Sequence, residues 1–289
     1  MQHTHYTTLI SAANLAERLA AAPGSVLVFD CRFDLAAPEA GAAAYAAGHI
    51  PGAHYLHLDR DLSGAKTGTN GRHPLPERAA LVEKLASFGL DEGRQVVAYD
   101  AQGGMVAARL WWLLRWLGHD SVALLDGGLN AWEAAGQPLE TAVPARTQGS
   151  FKAAAPLQVT IDAAAIERSI GTRDHLLIDA RAADRYRGEN ETLDPVGGHI
   201  PGALNHFFKD NLNADGRFKT AHDLREAFGT LIGATSPERI VLQCGSGVTA
   251  CHNALAMEIA GLHGAALYPG SWSEWSADPG RPVATGAKP

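Results

Sequence analysis

The segment RIVLQCGSGVTACHNALAME (239–258) holds three kinds of local structure in twenty residues. Ile240–Gln243 is a short apolar run with strand character. Cys244 follows at its tip. Gly245-Ser246-Gly247 then offers almost no side-chain bulk, and from Ala250 the pattern turns helical. A strand that runs through a glycine-rich turn into a helix is the βα unit of a parallel sheet.

A second stretch, QVVAYDAQGGMVAARLWWLL (95–114), has the same form, with Asp100 where the other has Cys244 and Gly103-Gly104-Met105 where it has Gly247-Val248-Thr249. The correspondence extends outward. VLVFDCRFD (26–34) matches LLIDARAAD (176–184), each a strand ending in Asp-x-Arg. AAGHIPGAHYL (46–56) matches VGGHIPGALNH (196–206), and ALLDGGLNAW (123–132) matches AALYPGSWSEW (265–275). Four motifs in one order mean duplication of a whole domain, since solenoid repeats have far shorter periods. Residues 1–140 are expected to form the first copy and 159–289 the second. The Pro/Ala/Thr-rich stretch 141–158 reads as the linker. Strands alternating with helices such as 107–118 and 250–262 predict an α/β fold, two tandem domains each with a mainly parallel sheet flanked by helices. In such sheets the ligand crevice lies beyond the carboxyl ends of the strands, where Cys244 falls.

The bulk numbers agree with two globular domains: 289 residues, 46% hydrophobic, 19% charged. A net charge of −7 with no Lys/Arg run argues against nucleic acid as a partner. No apolar segment is long enough to span a bilayer, and MQHTHYTTLI lacks the plan of a signal peptide, so no membrane partner is expected. Three cysteines, Cys31, Cys244 and Cys251, make no disulfide framework and suit a reducing, cytoplasmic setting.

A thiol with an ordinary pKa of about 8.5 is mostly protonated at neutral pH, so a nucleophilic cysteine needs help to ionise. The loop Gly245, Ser246, Gly247, Val248, Thr249 can supply it by curling its backbone N–H groups inward beside a helix N-terminus. Taken alone, Cys-Gly-Ser-Gly would equally suit a structural cysteine before a βα turn. The first copy sharpens the choice: Asp100 stands in place of a nucleophile, so the catalytic loop is expected in the second domain only. Cys251, two helical turns along, reads as core packing rather than as a partner in metal binding.

The two GHIPGA motifs, CGSGVTACHN and LYPGSWSEW together resemble the tandem-domain rhodanese-like sulfurtransferases over nearly the whole chain. That resemblance implies an enzyme with about five strands per sheet. Cys244 would accept a sulfane sulfur as a persulfide and pass it to an acceptor thiol, thioredoxin or cyanide, with no metal or organic cofactor. Phosphatases of related fold carry Cys-x5-Arg, and here the sixth position after Cys244 is Ala250, which argues against phosphate chemistry.

Within the family the Cys-Gly-Ser-Gly-Val-Thr pattern resembles enzymes that use 3-mercaptopyruvate. Thiosulfate enzymes place basic side chains after the cysteine. The resemblance further implies a relay of Ser246, His73 (in GRHPLP, 71–76) and Asp59 (in HYLHLDRD, 54–61), and a donor-binding Arg185 in DRYRGENE (184–191). A second family arginine before GHIPG is missing from TLDPVGG (192–198), which leaves thiosulfate open as donor and Arg187 as a substitute. A module that relays persulfide between proteins would use the same cysteine. A silent binding domain fits the Asp100 copy better than the intact Cys244 loop. The Asp-x-Arg pairs Asp30/Arg32 and Asp179/Arg181 are expected to hold loops together, and Trp272 and Trp275 to pack in the core.

Overall fold

A computed structural model describes residues 5–22, 24–172 and 174–289, so the first four residues of the N-terminal stretch read above lie outside the described ones. The chain divides into two compact units. The first comprises residues 1–64, 76–157 and 214–218, and the second 65–75, 158–213 and 219–289. The segment 65–75, which carries His73, therefore counts with the second unit, while most of the stretch read as linker counts with the first.

The first unit contains β1 (Leu9–Ile10), α1 (Ala12–Ala21), β2 (Val26–Asp30), α2 (Ala40–Ala47), β3 (His54–Tyr55), α3 (Leu58–Asp61), α4 (Arg78–Ser87), β4 (Gln95–Tyr99), α5 (Ala107–Trp116), β5 (Val122–Leu125) and α6 (Gly128–Ala134). Its five strands run parallel in the order β1-β5-β4-β2-β3. β2, β4 and β5 are buried along their whole length, as a parallel sheet flanked by helices requires. α5 buries its first eight residues, Ala107 to Leu114, including Trp111 and Trp112, so the WWLLRW run belongs to the core.

The second unit contains α7 (Ala163–Ser169), β6 (Leu176–Asp179), α8 (Ala183–Arg187), β7 (Leu204–Asn205), a 3-10 turn at Phe208–Asn211, α9 (Ala221–Ile232), a 3-10 turn at Pro237–Arg239, β8 (Ile240–Gln243), α10 (Thr249–Ile259), β9 (Ala266–Leu267) and α11 (Ser271–Trp275). Its sheet has four parallel strands, β7-β6-β8-β9, which repeat the order β3-β2-β4-β5 of the first. The expected fifth strand shrinks to one parallel bridge, Thr160 to Leu267. Asp162 then caps α7 through the Ala165 N–H (2.7 Å), as Ser11 caps α1 through the Asn14 N–H (3.2 Å) in the first unit.

The repeated motifs do the same work in both units. Arg32 grips the Asp30 carboxylate and the Gly48 carbonyl, and Arg181 grips Asp179 and Gly198 in the same way. Burial works against the charge of Arg181, but the carboxylates of Asp179 and Glu191 and the charge of Cys244 outweigh it and hold the guanidinium more firmly protonated than usual. His49 stacks on Tyr45 (centroids 3.9 Å apart) and His199 on Tyr186 (3.8 Å), each ring bonded to the tyrosine's own carbonyl at 2.8 Å. The His-Ile-Pro-Gly motif is thus a fold device that ties a turn to the preceding helix. Trp272 and Trp275 are fully buried.

Candidate functional site: a cysteine cradle at the end of β8

Cys244 leaves β8 at the carboxyl edge of the second sheet and is 2% exposed. Its Sγ receives the backbone N–H of Gly247 (3.1 Å) and, at longer range, that of Ser246 (3.5 Å). The curl needs glycine at 247: φ is +77°, and an added Cβ would collide with the carbonyl oxygen of Pro269. Val248 is the N-cap position and Thr249 the first residue of α10, one residue earlier than the sequence pattern suggested. The Cys251 N–H of that first turn bonds the Val248 carbonyl (3.1 Å), and the helix N-terminus adds its partial positive charge at the end of the loop. Cys251 lies one turn into the helix, where its thiol donates to the Gly247 carbonyl (3.2 Å) and so braces the curl.

The other side of the cradle comes from α11. Trp272 and Ser273 send their N–H groups to the carbonyls of Cys244 (3.0 Å) and Gly245 (2.9 Å). Ser271 accepts the Cys244 N–H (3.1 Å) and donates to the Tyr268 carbonyl (2.9 Å). It is the one non-glycine among the described residues with positive φ, +52°, and it is fully buried. A left-handed serine costs roughly 1–3 kcal/mol, so its presence under the cysteine marks a position where the hydroxyl outweighs the strain.

Ser246 Oγ lies 2.7 Å from His73 Nδ1, and both residues are buried. The structure therefore places Ser246 and His73 side by side. Asp59 belongs to α3 of the first unit, where its backbone N–H meets His57 Nδ1 (3.1 Å).

Cations flank Gly245. A Cβ at Gly245 would sit 3.5 and 3.7 Å from Arg185 Nη2 and Nη1, and 3.2 Å from Arg72 Nη2. Glu191 takes the Nε–Nη2 edge of Arg185 (3.1 and 2.8 Å), and Asp194 pairs with Arg72 Nη1 (2.7 Å). Burial alone would raise the Glu191 pKa. The hydrogen bonds from Arg185 and the Leu193 N–H, with the charges of Arg185 and Arg181, reverse that and hold it below the ordinary value. Arg187, the substitute second cation suggested by sequence, instead pairs with Glu189 (2.6 Å), and that partner is largely exposed. Arg72, the immediate neighbour of His73, stands at Gly245 in its stead. Sequence reasoning passed over Arg72, Asp194 and Ser271. Only the first left a signal, a guanidinium beside a histidine already singled out.

Among the described residues no three His, Cys, Asp or Glu side chains are grouped to hold a metal, and no helix is long and apolar enough to cross a membrane.

A strand-end cysteine whose sulfur faces loop N–H groups, repeated with an acid in its place, narrows the family. Rhodanese-like domains match residues 11–135 and 162–278. The chain belongs to the rhodanese-like family, in two tandem copies. It is 49% identical over 280 residues to a protein of Pseudomonas aeruginosa described as a probable 3-mercaptopyruvate sulfurtransferase, a match covering 96% of this chain and 98% of the relative. It is 32% identical over 280 residues to bovine thiosulfate sulfurtransferase, with 93% and 92% covered. Among solved structures it resembles SseA, a 3-mercaptopyruvate sulfotransferase of Escherichia coli, with a TM-score of 0.80, 30% identity, and 92% and 99% of the two chains covered. These rhodanese-like relatives are enzymes that move sulfur.

Proposed function

We propose that this chain is a sulfurtransferase that takes sulfane sulfur from 3-mercaptopyruvate, carries it on Cys244 as a persulfide, and hands it to a thiol, thioredoxin or cyanide. The Cys244 thiolate attacks the donor sulfur. The carbon–sulfur bond breaks, its electron pair passes to the carbon as pyruvate enolate, and a proton completes pyruvate. An acceptor thiolate or cyanide then attacks the outer sulfur, the S–S bond breaks, and the Cys244 thiolate returns. The loop N–H groups serve both anions, thiolate and persulfide, and they need no reorganisation between the two.

The observation that carries this reading is the pair of contacts at the loop: the Cys244 sulfur facing the Gly247 N–H, and Ser246 bonded to His73 within the same turn. A hydroxyl–imidazole pair suits a donor with a ketone to polarise and an enolate to protonate, both features of mercaptopyruvate and absent from thiosulfate. Asp59 completes the relay in this reading by orienting His73. Gly245, Val248 and Thr249 line the approach, and Arg185 takes the donor's carboxylate. The compartment is proposed to be the cytoplasm, where Cys31, Cys244 and Cys251, all free of disulfides in the structure, would remain thiols.

Steady-state kinetics with the two donors in parallel, cyanide and then dithiothreitol as acceptor, tests the proposal. A large kcat/KM advantage for mercaptopyruvate is expected. An advantage for thiosulfate would transfer the reading to that donor. No turnover of either, with Cys244 still reactive, would favour a protein-to-protein persulfide relay.

A further inference from the structure

The helix that opens at the catalytic loop is held by polar groups as well as apolar ones. α10 buries His252 and Asn253 completely. Their partner is Asn211, the last residue of the 3-10 turn Phe208–Asn211, which is also fully buried. Asn253 Nδ2 donates to the His206 carbonyl (3.0 Å). A carbonyl only accepts, so that contact fixes every other orientation in the group. Asn253 Oδ1 then faces Asn211 and receives its Nδ2 (2.7 Å). The second hydrogen of that Nδ2 goes to His252 Nδ1 (3.2 Å), which therefore carries none. Asn211 Oδ1 is left to accept from His206 Nε2 (2.8 Å). His206, Asn211 and Asn253 thus close a ring of three hydrogen bonds. Phe228 packs on the His206 imidazole (centroids 4.5 Å apart) and Phe208 on that of His252 (5.3 Å). Burial keeps His206 below its ordinary pKa, against the Asn211 bond and the Asp210 carboxylate, and Lys219 adds to the lowering.

We infer that Asn211 is a positioning residue for the catalytic loop: it fixes α10 against the turn 206–211, and with α10 the Gly247 N–H that faces the Cys244 sulfur. The inference rests on Cys244 as the sulfur carrier and is independent of which donor loads it. An apolar helix face can slide by fractions of an ångström at little cost, whereas a closed ring of directional bonds has one geometry. The loop is stretched between two such anchors, β8 on the side of Cys244 and Asn211 on the side of Asn253. In the first unit the same two places hold Asp61 and Arg109, a carboxylate and a guanidinium, and Arg109 is fully buried. That unit, whose loop has Asp100 in place of the cysteine, carries charge where the catalytic unit carries amides. A neutral network holds the helix without setting a further buried charge near a thiolate.

The test is the rate at which iodoacetamide, a neutral probe, alkylates Cys244 in the intact protein across pH, with peptide mapping to assign the label. In Asn211→Leu the rate profile should move to higher pH by about one unit, which is about a tenfold loss of rate at neutral pH and matches one misaimed N–H. The rates should converge with the parent's in alkali, where the thiol is ionised in both. Cys31 and Cys251, both fully buried, should stay unlabelled, which reports an intact fold. With mercaptopyruvate and with thiosulfate, kcat should fall by a common factor of about ten and KM should stay within about twofold. A residue that merely stabilises the fold would lower the melting temperature and leave the alkylation profile in place. If Asn211→Leu does not fold, Asn211→Ser serves, with a smaller shift. An unchanged profile and kcat in the folded variant would overturn the inference while leaving Cys244 as carrier. A shifted profile in a protein whose Cys244 takes up no sulfur would keep the positioning role and overturn the carrier.

Discussion

The loops after β4 and β8 are the same backbone device put to opposite uses. In the first unit Asp100 turns its carboxylate into the curl and collects four N–H groups: Gln102 and Gly104 on Oδ1 (2.8 and 2.9 Å), Val106 and Ala107 on Oδ2 (2.8 and 3.0 Å). The residue is 1% exposed, so the nest is closed by its own anion. In the second unit a sulfur stands there instead, with the Gly247 N–H at 3.1 Å. Even the support beneath is shared. Leu129 N–H bonds the Asp100 carbonyl (2.9 Å) as Trp272 N–H bonds that of Cys244 (3.0 Å). The residue before each has positive φ, Gly128 at +59° and Ser271 at +52°. The difference teaches that an anion nest is a fold element first. It becomes a site when the resident anion is one that can leave with, or receive, a further atom.

The largest expected effect breaks the comparison at its centre. Cys244→Ser should reduce sulfur transfer from every donor by about four orders of magnitude or more, to background, because an alcohol neither ionises nor carries sulfur there. Residual turnover in the variant, measured with both donors, would contradict the role given to this loop.

The second concerns the closed nest. Asp100→Ala strands several buried N–H donors and should lower unfolding free energy by about 3 kcal/mol or more in a denaturant titration. Cys244→Ala should change it by much less. Equal effects would mean that the two loops do not differ in how they are filled.

Ser246→Ala removes the hydroxyl bonded to His73 and should lower kcat with mercaptopyruvate by roughly a hundredfold. Thiosulfate turnover should fall by a smaller factor, since that donor has no carbonyl to polarise. Equal losses with both donors would assign Ser246 to loop shape alone.

Ser271 sharpens the comparison further. Ser271→Ala keeps the left-handed backbone and loses the bond to the Cys244 N–H, so a loss of about 1–2 kcal/mol in stability is expected. Ser271→Gly, the first unit's own solution, should recover part of that loss while leaving activity reduced. A glycine variant no more stable than the alanine one would remove backbone strain from the account.

The smallest effect is one of pH. Glu191 has its pKa lowered in the folded protein, so its contribution to stability is present above the ordinary carboxylate range, about 4.3, and is lost as pH falls through its own lower value. The melting temperature of Glu191→Gln should therefore lie below the parent's at neutral pH and converge with it in acid. A gap that widened on acidification would contradict the sign.

Much of this was legible in sequence, because strand runs, helix periods and turn residues are local. VLVFD, QVVAY and IVLQ became β2, β4 and β8 as quoted, and the Asp-x-Arg and His-Ile-Pro-Gly motifs hold loops and turns in both units. The Ser246–His73 meeting came from resemblance, since 173 positions separate the two residues and no local pattern joins them. Arg72 was passed over for the same reason. Arg187 lay in the expected stretch, whereas Arg72 reaches Asp194 across 122 positions, a closure that only the tertiary fold makes. Ser271 left no trace either, because a positive φ at a serine contradicts its propensity and comes from the turn that Gly128 makes at the same place in the first unit.

The most direct test of the central claim is the mass of the protein after incubation with one equivalent of mercaptopyruvate and no acceptor, followed by peptide mapping. The account predicts one added sulfur atom on the peptide containing Cys244, matched by released pyruvate and removed by cyanide. Sulfur on Cys31 or Cys251 instead, or pyruvate released with no sulfur retained by the protein, would contradict it.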